Sequence, residues 1–402
     1  MKIGIIREGK VPPDSRVPLN PQQCEYLRSE FGIDLVVQPS PIRIFKDEEY
    51  IAAGVPLQEN LKDRDILLGV KEVPIDQLMS GKSYTFFSHT HKKQLYNKPL
   101  LQAILEKKVH LIDYEVLTNR NGRRVIAFGY FAGVVGAHNG FWAYAQRTKA
   151  FEFPRMRDLF DYKAAKDIYA TTELPPIKVV LTGSGRVASG AVRVLEDLGL
   201  QRLAPKDFLE HTYSHAVYTQ LHSRDYIKHS QKKTFVKADF YKHPEEYTTD
   251  FKAFTEVSDM MINGIFWNNK APAFFTKEDM TQADFNIKVI ADVTCDMAPI
   301  SSIPSTIKAS TIANPVFGYD PKTGEAVAPY QAHVVDMMTI DNLPSELPRD
   351  ASTAFGEMFI KEIFPHLLAP KSALLERASI AIDGALGPHF EYLKDFVLKY
   401  LC

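Results

Sequence analysis

The sequence predicts an α/β protein of two doubly wound domains, each built on a largely parallel sheet. Three observations carry that expectation. Short apolar strands alternate with helical segments along most of the chain. Near its middle a glycine-containing turn joins one such strand to an amphipathic helix. And 402 residues exceed what one ordinary domain holds.

The first domain opens with an apolar strand, Lys2 to Ile6, ending in Arg7-Glu8-Gly9. Arg16-Val17-Pro18-Leu19-Asn20-Pro21 leads into a helix, with Asn20 suited to the N-cap and Pro21 to the first turn. Further strands are read at Asp34–Gln38, Asp65–Val70, Ser83–Ser88 and Val109–Asp113, with a helix over Lys98–Glu106. Phe128 to His138, spaced by glycines, starts a long helix expected to cross between domains, and a polar, irregular stretch follows over 150–176. C-terminal helices at about Ala351–Leu368 and Pro388–Leu401 are expected to return to the first domain. The domains are therefore drawn as 1–138 with 342–402, and 139–341.

The second domain begins at Ile177–Gly199, IKVVLTGSGRVASGAVRVLEDLG. A β-branched strand runs into Gly183-Ser184-Gly185-Arg186-Val187-Ala188, and apolar residues then recur at helical spacing. That is the opening of a dinucleotide-binding, Rossmann-like βαβ unit. Gly183 permits the sharp turn, Gly185 lets the backbone approach a pyrophosphate at the helix N-terminus, and Ala188 allows close helix–strand packing. Such turns also occur without a ligand, so the motif needs its context. Further strands are read at Ala216–Leu221, Asp259–Ile265 and Lys288–Val293, with a hairpin-like insertion at 316–331.

Composition narrows the function classes. The chain is 45% hydrophobic and 24% charged with a net charge of −1, so no basic face for nucleic acid or anionic membrane is implied. No apolar run approaches the roughly 18 residues of a membrane span, and the start MKIGIIREGK lacks the pattern of a secretory leader. Cys24, Cys295 and Cys402 have neither metal-ligand nor disulfide spacing. A cytoplasmic, enzyme-sized protein without a metal is expected, its oligomeric state left open.

In doubly wound sheets ligands sit at the carboxyl ends of strands. Lys71 and His89 each follow an apolar strand there. Singly, an exposed lysine and a packed histidine are the plainer readings. Together, beside a nucleotide domain, they make a proton-transfer pair for hydride chemistry at a carbon bearing nitrogen. Arg16 and Arg124 are candidate carboxylate ligands, with neighbouring Arg123 a reminder that one of the adjacent pair is a solvated charge. Glu115 could meet a cationic amine, or be a solvent-exposed glutamate. Asp292 and Asp296 end a strand of the nucleotide domain, while His91, Lys92 and Lys93 read as a solvated turn.

ILLGVKEVP, FFSHTHKKQ, LIDYEVLTNRNGRRVIAFGYFAGVVG, LTGSGRVASGA, MINGIFW, ADVTCD and TIDNLPSELPRDAS occur in one order. This series resembles the lysine-forming saccharopine dehydrogenases of the alanine dehydrogenase and transhydrogenase superfamily. It is most similar to the lysine–2-oxoglutarate reductase half of the bifunctional aminoadipic semialdehyde synthase, whose second half has no counterpart here. The resemblance implies a discontinuous first domain and catalysis in an interdomain cleft. It implies Lys71 and His89 as the acid/base pair, with Arg16, Glu115 and Arg124 on substrate carboxylates and amine. Asp296 would stand by the nicotinamide and reacting centre, and the Gly183–Ala188 turn and Asn263 would hold the cofactor. The implied substrates are lysine, 2-oxoglutarate and saccharopine.

One region departs from the usual fingerprint. An NAD-specific strand should end in Asp or Glu about 20 residues after the glycines. Here Ala216–Leu221 ends in His222-Ser223-Arg224, with Asp225 only after it. Ser223 and Arg224 suit a 2′-phosphate, so NADP(H) is favoured over NAD(H), and Asp225 is the rival if the strand ends later. Two other readings stand: a dehydrogenase of alanine or another amino acid, and a catalytically silent nucleotide-binding protein.

Overall fold

A computed structural model describes residues 1–231 and 233–398. Cys402 and the end of the helix expected over 388–401 lie outside the described residues. The chain forms two compact units, Met1–Phe128 with Pro348–Cys402, and Gly129–Leu347. The helix Gly129–Thr148 thus lies wholly in the second unit, ahead of the boundary expected after residue 138.

The first unit begins with parallel strands β1 (Lys2–Ile5), β2 (Asp34–Val37), β3 (Ile66–Leu68), β4 (Ser83–Phe86) and β5 (His110–Asp113). They lie in the order β2-β1-β3-β4-β5. Neighbouring residues of each strand point to opposite faces: Leu67, Val36 and Leu111 enter one core, Leu68, Leu35 and Ile112 the other. Burial on both faces explains why these strands read as unbroken apolar runs. Asn20 caps the helix Pro21–Phe31 as expected, its Oδ1 accepting from Gln23 N while Gln23 Oε1 accepts from Asn20 N, both at 2.9 Å.

The second unit's main sheet holds β6 (Lys178–Thr182), β7 (Gln201–Leu203), β8 (Val217–Leu221), β11 (Met260–Asn263), β12 (Val289–Asp292), β13 (Val316–Asp320), β14 (Glu325–Val327) and β15 (Val335–Met338). Between these, β9 (Ile227–His229) and β10 (Tyr247–Thr249) form a separate antiparallel pair. The order is β14-β13-β15-β12-β11-β6-β8-β7; β13 runs antiparallel to both its neighbours, β14 and β15, and every other pairing is parallel. The long stretch before β8 therefore holds an extra edge strand, β7, and a short helix, Pro205–Glu210, and β8 still lies beside β6. The stretch expected to be irregular contains the helix Tyr162–Tyr169, which buries Ala165 and Tyr169.

The returning C-terminal segment differs from the two-helix expectation. Pro348–Met358, the π-helical Phe359–Ile363 and Phe364–Leu368 make one continuous helical run, as expected up to Leu368, but β16 (Ser379–Ile382) and β17 (Ala385–Leu386) then add an antiparallel hairpin beyond β5. Its turn residues Asp383 and Gly384 both have positive φ, the geometry that Asp-Gly favours in tight hairpins. Among the described residues only short turns of helix, over Glu391–Leu393 and Lys394–Val397, follow.

Candidate functional site

In the first unit the strand order reverses between β1 and β3, which opens a crevice at their carboxyl ends. Glu8 follows β1, Lys71 and Glu72 follow β3, His89 follows β4, and Glu115 follows β5. Two carboxylates hold these loops in place. Glu8 accepts from the backbone N–H of Val70 at 2.7 Å and of Lys71 at 2.8 Å, fastening the loop after β3 to that after β1. Asp113 accepts from Ser88 N at 2.8 Å, Ser88 Oγ at 2.5 Å and Glu115 N at 2.7 Å, fastening β4's end to β5's.

His89 sits at φ 56°, a left-handed conformation costing a non-glycine residue about 1 kcal/mol. Its Nδ1 lies 2.7 Å from Glu72 Oε1, and Glu72 Oε2 lies 2.6 Å from Lys10 Nζ. With Nδ1–H donating to Glu72, Nε2 is the nitrogen left to exchange a proton. Burial alone would raise the Glu72 carboxyl, but the bonds from His89 and Lys10 hold it at about 2. Burial lowers the pKa of Lys71, and repulsion from Arg16 adds to it. The pair read from the sequence thus stands at adjacent strand ends, with an anchored imidazole and an amine biased toward losing its proton.

Glu115 gathers cations. Its Oε1 lies 2.7 Å from Arg124 Nη2 and 2.9 Å from Lys92 Nζ, and its Oε2 3.7 Å from His91 Nε2. Burial would raise this carboxyl, yet Lys92 and Arg124 hold it below its ordinary value. His91 and Lys92, read as a solvated turn, therefore belong to the Glu115 cluster. Arg16, read as a candidate ligand for a substrate carboxylate, already meets a carboxylate of the chain. It is 2% exposed, lies over the Phe128 ring at 4.2 Å, and meets Asp14 through Nε at 2.9 Å and Nη2 at 2.6 Å.

Glu8 stands in the sequence only as the end of the first strand, not as a site residue, because a carboxylate at the eighth position gives no local sign of burial. Burial pushes it up to about 8 against its two backbone hydrogen bonds. A raised carboxyl favours the fold fully below the unfolded value of 4.5, and that contribution is lost as pH rises through about 8. Glu8→Gln should therefore flatten the pH dependence of unfolding free energy between those limits by a few kcal/mol, each tenfold change in proton affinity being worth about 1.4 kcal/mol. Denaturant titrations at several pH values check this; parallel curves for both proteins would refute it.

The second unit carries a cavity of about 790 Å³, within the range of small-molecule sites. Gly183, Ser184, Gly185, Arg186 and Val187 line one side, and His222, Ser223 and Arg224 past β8 line another. Gly183 has φ 106°, and a Cβ there would lie 2.5 Å from Gly264 O, so only glycine fits. No side chain among the described residues caps the helix Arg186–Asp197, whose first N–H groups face this turn. A Cβ on Gly185 would meet open space. This cradle fits the pyrophosphate of a dinucleotide.

The remaining candidates separate. Ala188 is fully buried and serves packing. Asn263, expected at the cofactor, has its amide engaged internally: Oδ1 accepts from Thr182 Oγ1 at 2.7 Å, and Nδ2 donates to Asp292 and Ser302 at 2.9 Å. Asp292, read as facing the cleft, is fully buried in the same network, also accepting from Thr306 Oγ1 at 2.6 Å. Asp296 is exposed and lines a recess of about 390 Å³ with Trp267 and Asn268. Burial and then repulsion from Asp292 raise its carboxyl. No His, Cys, Asp or Glu cluster fit for a metal occurs among the described residues, and none of their helices is long and apolar enough to cross a membrane.

Known proteins resemble this chain in sequence and fold. Residues 4–135 match the N-terminal domain of alanine dehydrogenase/PNT. An alpha-aminoadipic semialdehyde synthase of Arabidopsis thaliana is 28% identical over 97% of the chain, and the Rattus norvegicus mitochondrial protein of that name 29% over 95%. The chain spans 41% and 46% of their lengths. A saccharopine dehydrogenase [NAD(+), L-lysine-forming] of Emericella nidulans is 28% identical over 92% of each chain. Among solved structures, an L-alanine dehydrogenase superposes with a TM-score of 0.65 at 14% identity, covering 99% of this chain and all of that one. A transhydrogenase from Sinorhizobium meliloti gives 0.59 at 14% identity, over 96% of this chain and all of that one. The resemblance to the lysine-forming saccharopine dehydrogenases thus holds across nearly the whole chain, and the fold is that of alanine dehydrogenase and transhydrogenase.

Proposed function

We propose that the chain is a pyridine-nucleotide-dependent oxidoreductase that forms or cleaves saccharopine from L-lysine and 2-oxoglutarate. The observation that carries this reading is the pairing of Lys71, its proton affinity lowered by burial, with a Glu72-anchored His89 at neighbouring strand ends. Condensing an amine with a ketone requires a proton taken from the ammonium, protons delivered to the departing water, and reduction of the resulting imine. Lys71 and His89 supply and receive those protons. A nicotinamide cofactor, when bound, would supply the hydride, and Gly183–Val187 would hold its pyrophosphate. Glu115 Oε2 is buried without a hydrogen-bond donor among the described residues, which suits it to receive the substrate ammonium. Arg124 and Arg16 serve the carboxylates, and Asp296 the reacting centre.

NADP(H) is favoured over NAD(H). Asp225, the rival ribose ligand, turns its Oδ2 back to the backbone N–H of His222 at 2.7 Å, capping its own short helix. Arg224 is 72% exposed at the cavity and only loosely paired, its Nε 3.8 Å from Asp225 Oδ1, so a 2′-phosphate can meet it.

The purified protein should oxidise NADPH when given L-lysine together with 2-oxoglutarate, and fail with either alone. Arg124→Ala should raise the KM for 2-oxoglutarate by at least about tenfold, with the cofactor KM unchanged, because a charge-assisted contact is lost. Arg16→Ala is the poorer probe, since it strands the buried Asp14 carboxylate. Turnover with alanine or ammonia as amine, and none with lysine, would establish the other amino-acid dehydrogenase reading instead.

A further inference from the structure

Between β9 and β10 the chain makes an excursion with a small core of its own. Phe235 packs on Phe240 at 5.8 Å and on Tyr247 at 5.9 Å, and Phe240 on Tyr247 at 5.2 Å. His229, in β9, packs against Tyr247, in β10, with ring centroids 4.9 Å apart and planes tilted by 52°. These rings join the core that also holds Val217 and Leu221 of β8, so the excursion is fixed to the nucleotide-side sheet. Its helix Lys237–Lys242 brings Lys237 and Tyr241 into the lining of the 790 Å³ cavity that Arg224 and the glycine turn also line.

The charge of that lining is one-sided. Arg186, Arg224 and Lys237 are cationic, and no Asp or Glu among the described residues lines the cavity. Of the two nearest carboxylates, Asp239 accepts from Tyr247 Oη at 2.7 Å, and Asp225 gives its Oδ2 to His222 N while its Oδ1 lies 3.8 Å from Arg224 Nε, a loose, exposed pair that a phosphate dianion can displace. Lys237 makes no ion pair among the described residues; its Nζ rests 5.8 Å from the Tyr241 ring, a weak contact that a phosphate would outcompete. A dinucleotide's pyrophosphate is held at the glycine turn. Cations past β8 and across from it can therefore meet only charge carried on the adenosine ribose.

We infer that Lys237 is a specificity residue for a 2′-phosphorylated adenosine, binding the 2′-phosphate together with Arg224, so that the β9–β10 excursion is the cofactor-discriminating module of this chain. The inference rests on the NADP(H) reading and deepens it. Two cations on one phosphate dianion give a contact that NADH cannot make.

The test is equilibrium binding by calorimetry of NADPH, NADH, 2′,5′-ADP and 3′,5′-ADP to wild type, Lys237→Ala, Lys237→Arg and Arg224→Ala. Lys237→Ala should weaken NADPH and 2′,5′-ADP by about ten- to a hundredfold and leave NADH unchanged, with Lys237→Arg restoring most of the loss. Wild type should prefer 2′,5′-ADP over the 3′,5′ isomer. If Arg224→Ala removes the preference and Lys237→Ala does not, the role of Lys237 is overturned while the NADP(H) reading stands. If wild type binds NADH as tightly as NADPH, the cofactor reading fails and this inference with it. Equal losses for NADPH and NADH in Lys237→Ala would show a merely structural residue.

Discussion

Lys71→Met lowers turnover of lysine with 2-oxoglutarate by about 10²-fold or more, and His89→Gln does the same, while cofactor affinity stays at the wild-type value. The size follows from removing a group that exchanges a proton at the reacting nitrogen or oxygen. The insensitivity of cofactor binding follows from location, since both residues belong to the first unit and the glycine turn to the second. Lys71 has its amine biased toward the neutral form by burial. A methionine of similar length keeps most of the packing while removing the amine that carries the proton. His89 is held by Glu72 at 2.7 Å, so glutamine keeps a donor toward that carboxylate but cannot cycle a proton. The pH profile of kcat/KM gives the second readout: its limb belonging to the replaced group should vanish. Near-normal turnover in both variants would make the pair structural and remove the basis of the proposed chemistry.

The strands that carry these residues were legible because both faces of each sheet are buried. Apolar runs such as Ile66-Leu67-Leu68 and Val179-Val180-Leu181 then announce themselves without any need for alternation. The glycine turn was legible because its backbone geometry demands glycine at 183. Less legible was whatever depends on contacts between distant segments. Glu72 stands beside Lys71 in the chain, yet its role comes from His89, 17 residues away, and Lys10, 62 away. Asn263 was drawn to the cofactor by its motif, whereas its amide is consumed by Thr182, Asp292 and Ser302. His91 and Lys92 carry the composition of a surface turn, and only the fold brings Glu115 to them. The β16–β17 hairpin did leave a local sign, Asp383-Gly384 between apolar residues, which the expectation of C-terminal helices passed over.

A methyl group at position 190 should unfold the second unit, whereas one at 185 should leave it folded and unable to hold a dinucleotide. The helix Gly129–Thr148 crosses the helix Arg186–Asp197 backbone to backbone. A Cβ on Gly190 would lie 1.9 Å from Tyr130 O, and one on Gly133 would lie 1.8 Å from Val187 O. Neither carbonyl can retreat without breaking its own helix, so Gly190→Ala is expected to cost at least about 4 kcal/mol, the range reserved for severe overpacking. At Gly185 nothing lies within 4 Å of the added carbon. The cost of Gly185→Ala to the fold is then small, but the methyl stands in the space a pyrophosphate uses to reach the helix N-terminus. Circular dichroism melts and NADPH titration separate the two effects. A Gly190→Ala protein that melts with wild type would show that the helices do not approach this closely. A Gly185→Ala protein that binds NADPH normally would place the pyrophosphate elsewhere than at this turn.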